Sequence, residues 1–96
     1  MASYKLSRLA RTDLREIYSY GFQEYGEIQA DRYFAELLVR FEQIAENPFL
    51  FPAVDHIREG YRRAVCGVHS IYYRIENDGV QIMRLLSRQD AAEVLG

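Results

Sequence analysis

Arg62, Arg63, His69, Tyr72, Tyr73, Arg74, Arg84 and Arg88 are the residues of this chain whose types and grouping could do chemistry. An arginine presents a planar fork of donors suited to carboxylates and phosphates, and a histidine nearby can move protons. Two uses follow. Such a set can bind RNA phosphates and assist cleavage by electrostatics and proton transfer, or it can grip an acidic peptide or protein surface. The plain alternative is local pairing. Between Arg58 and Arg88 six arginines face three acids, Glu59, Glu76 and Asp78, so at least three lack a partner nearby in sequence. Eleven of the twelve basic residues are arginine, a bias that fits buried anion recognition and fits arginine-rich codon usage equally well.

Other chemistries are poorly supplied. There is no glycine-rich phosphate loop, nucleophile elbow or zinc-binding helix motif. His56 and His69 have no neighbours at metal-ligand spacing, so neither a metal nor a cofactor is expected. Cys66 stands alone, which excludes an internal disulfide and suits a small buried apolar role. Asp13 and Glu16, three apart on the expected outer side of a first helix, could resemble acid–base machinery. With Arg11 and Arg15 beside them they read as surface ion pairs worth a few tenths of a kcal/mol.

The net charge of −2 and pI near 5.6 have the wrong sign for general phosphate attraction, so no direct sequence-specific nucleic-acid binding is expected. Positive charge is uneven, however. Residues 1–50 carry six basic and eight acidic side chains, whereas 61–75 hold Arg62, Arg63 and Arg74 and no acid. No apolar run approaches the ~20 residues that span a bilayer, and Met1 to Arg15 is too charged for a signal peptide. The expected setting is the cytoplasm, without a membrane partner.

The elements that must position these residues follow from periodicity. At 96 residues the chain has the size of one domain, 1–96. Ser3 to Leu6 reads as a short strand ending at Ser7, a good N-cap. Ala10, Leu14, Ile17, Tyr18 and Gly21 then recur at helical spacing, predicting a helix from Arg8 to about Tyr25 that Gly26 ends. A second stripe, Ala30, Phe34, Leu37, Leu38, Phe41, Ile44 and Ala45, stops before Pro48 and makes an antiparallel helical hairpin with the first.

Phe49 to Glu59 has no clean period and reads as a crossover loop packed by Phe49, Phe51 and Ile57. Three strands are expected after it, at Tyr61–Val65, Val68–Ile75 and Val80–Leu86, joined by Cys66-Gly67 and by Glu76-Asn77-Asp78-Gly79. The whole is an α+β domain: a short N-terminal strand and a helical hairpin packed on a mainly antiparallel sheet, completed by a C-terminal three-strand meander. Both alternating sets of Val80–Leu86 are largely apolar. One face is expected under the hairpin and the other partly exposed, with arginines beside it, as a partner-binding surface.

The element order, with Gly60-Tyr61-Arg62-Arg63, Tyr72-Tyr73-Arg74-Ile75 and Ile82-Met83-Arg84-Leu85-Leu86, resembles the ParE/RelE superfamily of bacterial toxins over nearly the entire chain. Leu9-Ala10…Asp13-Leu14…Ile17, Gln29-Ala30…Tyr33…Leu37 and Asn47-Pro48 bring the likeness closer to ParE. The resemblance implies a toxin neutralised by a ParD-like antitoxin and, when free, a poison of DNA gyrase that is not itself an enzyme. It makes Arg62, Arg63, His69, Arg74, Arg84 and Arg88 candidates for gyrase contact, with the last strand and tail, Arg84 to Leu95, engaging the target. Tyr18, Phe22, Phe34, Leu38 and Tyr72 become candidates for the antitoxin. The alternatives are a RelE-like ribosome-dependent messenger endoribonuclease, or an inactive or non-toxic binding module on the same fold. Against the nuclease stand His69 where such enzymes often carry arginine, and Val94 or Leu95 near their expected tyrosine. Ser87 also replaces a histidine that many relatives have, ParE members included.

Overall fold

The computed structural model describes residues 3–87. Strand β1 (Tyr4–Leu6) leads into helices α1 (Arg8–Tyr25) and α2 (Glu27–Glu46), and strands β2 (Arg62–Cys66), β3 (His69–Glu76) and β4 (Gly79–Ser87) follow the crossover loop. The sheet order is β1-β4-β3-β2. The three C-terminal strands form the expected antiparallel meander, and β1 adds parallel to β4, Tyr4 lying opposite Val80. No helix among the described residues is long and apolar enough to cross a membrane.

The predicted punctuation operates locally. The Ser7 side chain accepts from the Ala10 amide at 3.0 Å, so α1 starts where a hydroxyl can satisfy a helix donor. Gly26, at φ +90°, closes α1 and opens α2 at once, a conformation that side-chain-bearing residues rarely adopt. In the β3–β4 turn Gly79 alone takes positive φ, and Asn77 and Asp78 do not.

One sheet face carries the main core, in which Ala10, Leu14, Leu37, Phe41 and Ile44 of the helices meet Ala64, Cys66, Ile71, Tyr73, Val80, Ile82 and Leu85. Cys66 is buried there, as its isolation suggested. The Tyr73 hydroxyl crosses this core and donates to the Pro48 carbonyl oxygen at 2.6 Å, tying β3 to the end of α2.

The opposite face differs from the expectation. It is not left open. Val54 and Tyr61, with Ile57, fold over Tyr72, Leu86 and Met83 to make a second small core. The crossover loop reaches it by running beside β2: the Val54 amide donates to the Tyr61 carbonyl oxygen and the Arg63 amide to that of Pro52. An aperiodic loop gives no sign from sequence of which sheet face it will cover.

A β-bulge in β4 joins the two cores. Tyr72 pairs with Arg84 but Tyr73 pairs with Ile82, so Met83 is an extra residue and the alternation of β4 shifts by one. The start of α1 satisfies the groups this displaces. The Ser7 hydroxyl donates to the Met83 carbonyl oxygen at 2.8 Å, and the Leu85 amide donates to Asp13 Oδ2 at 3.0 Å. Arg84 closes the arrangement with two bonds to Asp13, Nε to Oδ2 at 2.8 Å and a terminal nitrogen to Oδ1 at 3.0 Å. Asp13 is therefore a buried structural carboxylate and not the outer helix charge the sequence suggested. Its partner lies 71 residues away, beyond any helical spacing rule.

Because Ser7 both caps α1 and holds the bulge, Ser7→Ala is expected to destabilise the fold by about 1–2 kcal/mol, the upper part of the N-cap range. Urea unfolding would measure it. Ser7→Thr keeps both bonds and should recover most of the loss.

Candidate functional site

The α1–α2 hairpin and the β2–β3 turn enclose a cleft of about 360 Å³. Helical spacing sends Ile17, Tyr18, Tyr20, Gly21 and Tyr25 of α1 and Ala30, Tyr33, Phe34 and Leu37 of α2 into it, and Val68 and His69 form the strand-side wall. Three large apolar lining residues remain solvent-exposed: Tyr20 by 61%, Tyr25 by 66% and Val68 by 76%. Surface of this kind that is at once concave and aromatic marks a contact site.

A second, more open groove runs along the other side of the hairpin, bounded by Arg11, Leu14, Arg15, Tyr18, Ser19, Asp31 and Phe34. Tyr18 and Phe34 border both depressions and form the ridge between them, their rings edge-to-face at 5.9 Å. The Tyr18 hydroxyl donates to Asp31 at 2.6 Å, which fixes the ridge and holds that phenol above its ordinary pKa. Phe22 packs against Tyr18 at 6.3 Å and is largely exposed, while Leu38 lies half-buried against the main core. Tyr72 does not belong to this surface. It is 1% exposed, beneath the crossover loop.

The wall at the β2–β3 turn is held by Tyr33. Its hydroxyl donates to the Cys66 carbonyl oxygen at 2.8 Å and lies 2.7 Å from His69 Nδ1. Its ring presses on Gly67, where a side-chain carbon would come within 2.7 Å of it. Tyr33 entered the sequence reading only as part of a family motif. Nothing in its spacing announced a contact with a turn 33 residues on.

The basic candidates do not converge. Arg62 lies over the Phe49 ring and donates to the Phe51 carbonyl oxygen, holding the crossover loop. Arg84 is committed to Asp13, with the two side chains only 18% and 10% exposed. Arg74 pairs with Glu76 and reaches Gln81 near the β3–β4 turn. His69 sits at the other end of β3, about 16 Å away at the usual rise per strand residue. Arg63, opposite Tyr72, is partly exposed beside the crossover loop. Arg88, Val94 and Leu95 lie outside the described residues, and no group of three or more metal-ligating side chains occurs among the described ones.

Burial pushes the phenols of Tyr33 and Tyr73 up to about 12, above the ordinary 10. An unfolded chain therefore loses those protons before the folded one does. Stability from these two groups is full below pH 10 and is lost as pH rises from about 10 to about 12. Unfolding free energies measured across that window should fall with pH, less steeply in Tyr33→Phe.

The chain is similar in sequence and in fold to known toxins. Residues 4–92 match the family model described as the ParE toxin of the type II toxin–antitoxin system parDE. Toxin ParE1 of Caulobacter vibrioides is 41% identical over 86 residues, covering 90% of this chain and 88% of that protein. The chain belongs to the ParE toxin family. Toxin ParE1 of Mycobacterium tuberculosis is 34% identical over 87 residues, covering 90% of this chain and 89% of that one. Among solved structures, a chain of the chromosomal ParDE system from P. aeruginosa superimposes with a TM-score of 0.79 at 20% identity, covering 91% of this chain and 96% of its own. A chain of the RelBE2 toxin–antitoxin complex from Mycobacterium tuberculosis gives 0.65 at 21% identity, covering 91% and 98%. The hairpin-on-sheet fold is thus that of the ParDE chain, and the RelBE2 chain has a similar one.

Proposed function

We propose that this ParE-family chain poisons DNA gyrase when free and is held inactive by a ParD-like antitoxin laid over the helical hairpin. The exposed aromatic cleft carries the antitoxin half of the reading. Tyr20, Tyr25 and Val68 hold apolar surface in water beside Tyr18 and Phe34, and a covering partner would remove it from solvent. Arg11 and Arg15 along the neighbouring groove suit a partner segment that brings carboxylates.

The gyrase half rests on family membership, and a non-enzymatic action is favoured by how the candidate groups are used. Arg84 is tied up in the fold and the His69 ring in the Tyr33 clamp, so the two do not meet as a proton donor and a charge stabiliser. Of the candidate arginines on the sheet, Arg63 and Arg74 could reach a target without breaking the bulge, Arg74 by exchanging its Glu76 partner. The proposed setting is the cytoplasm, where gyrase works.

The test is induction of this gene alone in a bacterial host, with DNA integrity and translation followed in parallel. Gyrase-dependent double-strand breaks with translation initially intact are expected. Rapid messenger cleavage with intact DNA would overturn the gyrase reading in favour of a RelE-like nuclease, and no effect on either would leave a binding module. A neighbouring reading frame encoding a ribbon–helix–helix protein with an amphipathic tail would supply the antitoxin.

A further inference from the structure

We infer that Phe49 and Leu50, at the tip of the turn that follows α2, are the anchor by which the free chain grips its protein target, seated in an apolar pocket that carries a carboxylate at its rim. The inference rests on the gyrase half of the reading above and names the surface that would serve it.

Both residues are 72% exposed, although phenylalanine and leucine are among the residues most often buried. Their backbone is held so that they stay outside. The Leu50 amide donates to the Asn47 carbonyl oxygen at 3.1 Å, the Tyr73 hydroxyl to that of Pro48 at 2.6 Å, and Arg62 to that of Phe51 at 2.7 Å. Phe51 goes the other way, its ring edge-to-face with Tyr73 at 6.5 Å against the main core. Pro48 and Pro52 fix the backbone on either side. Two large apolar side chains are thus presented on a turn that is already ordered, so little entropy is left to lose when they are buried by a partner. Anchors at the centre of interfaces have this character.

Size and charge select the occupant. Even at the roughly 250 Å² of a fully buried large aromatic apiece, the pair falls short of the about 800 Å² per partner that a stable interface buries. Two copies meeting tip to tip would therefore not hold. Neither residue lines the depressions of the hairpin, and Phe34 of the ridge precedes Glu46 by about 18 Å of helix axis, so a segment seated on the ridge need not reach the tip. What remains is insertion into a pocket of a larger protein. The Arg62 guanidinium lies 5.0 Å over the Phe49 ring, and no acid among the described residues pairs with it. A pocket that receives the ring draws this cation partly out of water, which is costly unless a carboxylate meets it.

The test measures affinity of the full chain for assembled gyrase and, separately, for the antitoxin encoded beside this gene. Phe49→Ala with Leu50→Ala is expected to weaken gyrase binding by about 30-fold or more, with antitoxin affinity unchanged. Unchanged gyrase affinity overturns the inference, and so does a parallel loss of antitoxin affinity, which would assign the tip to the antitoxin. Because Phe49 also stacks on Arg62, the isosteric pair Leu50→Asn and Leu50→Asp supplies a comparison that leaves the turn intact. The aspartate is expected to bind gyrase several-fold more weakly than the asparagine at low salt, since it faces the carboxylate of the rim; equal affinities overturn the acidic rim. Wild-type binding reports on the gyrase reading and the ratio of variant to wild type on the anchor. A wild-type chain that does not bind gyrase removes both.

Discussion

Asp13→Ala is expected to destabilise the fold by about 3–5 kcal/mol, the range for removing one partner of a buried ion pair. The substitution strands the Arg84 guanidinium in a site only 18% open to water and leaves the Leu85 amide without its acceptor. It also releases the bulge that sets the alternation of β4. For a domain of this size each kcal/mol lowers Tm by roughly 4–8 °C, so the variant should melt at least about 12 °C early. The double replacement Asp13→Leu with Arg84→Met removes both charges and is expected to recover a large part of the loss, since apolar pairs of similar volume often substitute for buried ion pairs. A loss under about 1 kcal/mol in Asp13→Ala would mean that water already screens the pair as it does at a surface. It follows that lost toxicity in an Arg84→Ala variant would report folding unless its stability were measured alongside.

The largest functional effect is expected at the hairpin ridge. Tyr18 and Phe34 face both the cleft and the open groove, so truncating them removes the element any covering segment must straddle. Aromatic anchors at the centre of an interface commonly contribute 2 kcal/mol or more. Tyr18→Ala with Phe34→Ala should therefore weaken antitoxin binding by about 30-fold or more. In cells the variant should stay toxic while the co-expressed antitoxin no longer protects. Thermal melting must accompany the binding assay, because Phe34 also packs against the main core. Undiminished protection would place the antitoxin elsewhere on the chain.

What could be read from sequence was whatever is decided within a few residues. Ser7, Gly26 and the residues before Pro48 set the helix ends, and the glycines at 67 and 79 set the strand turns. The long-range pairings were not legible. Asp13 beside Arg11 and Arg15 has the pattern of a surface ion-pair helix, and only the fold shows that β4 brings Arg84 to it. The comparison of six arginines with three nearby acids could not show a distant partner: Arg84 has no acid near it in sequence, and the one it pairs with lies in α1. The candidate site was legible in part. Tyr18, Phe22 and Phe34 were singled out by aromatic type and helical position, but helical period cannot tell which side of a hairpin stays in water. Tyr72 seemed equally available because no pattern marks a loop that will cover it.

The pairing of β1 with β4 bears on how the toxin comes into being on the ribosome. Tyr4 meets Val80, so among the described residues the first strand made has its only sheet neighbour in the last one. Such a contact closes a loop of almost the whole chain, and its entropy cost falls late in folding. Until Gly79–Ser87 has emerged, the bulge has no residues and Asp13 has no cation. A nascent chain halted before that strand can form its helical hairpin but cannot complete the sheet. On the proposed function, an antitoxin would have the interval between the emergence of Glu46 and that of Ser87 in which to meet a hairpin that is not yet part of a finished toxin.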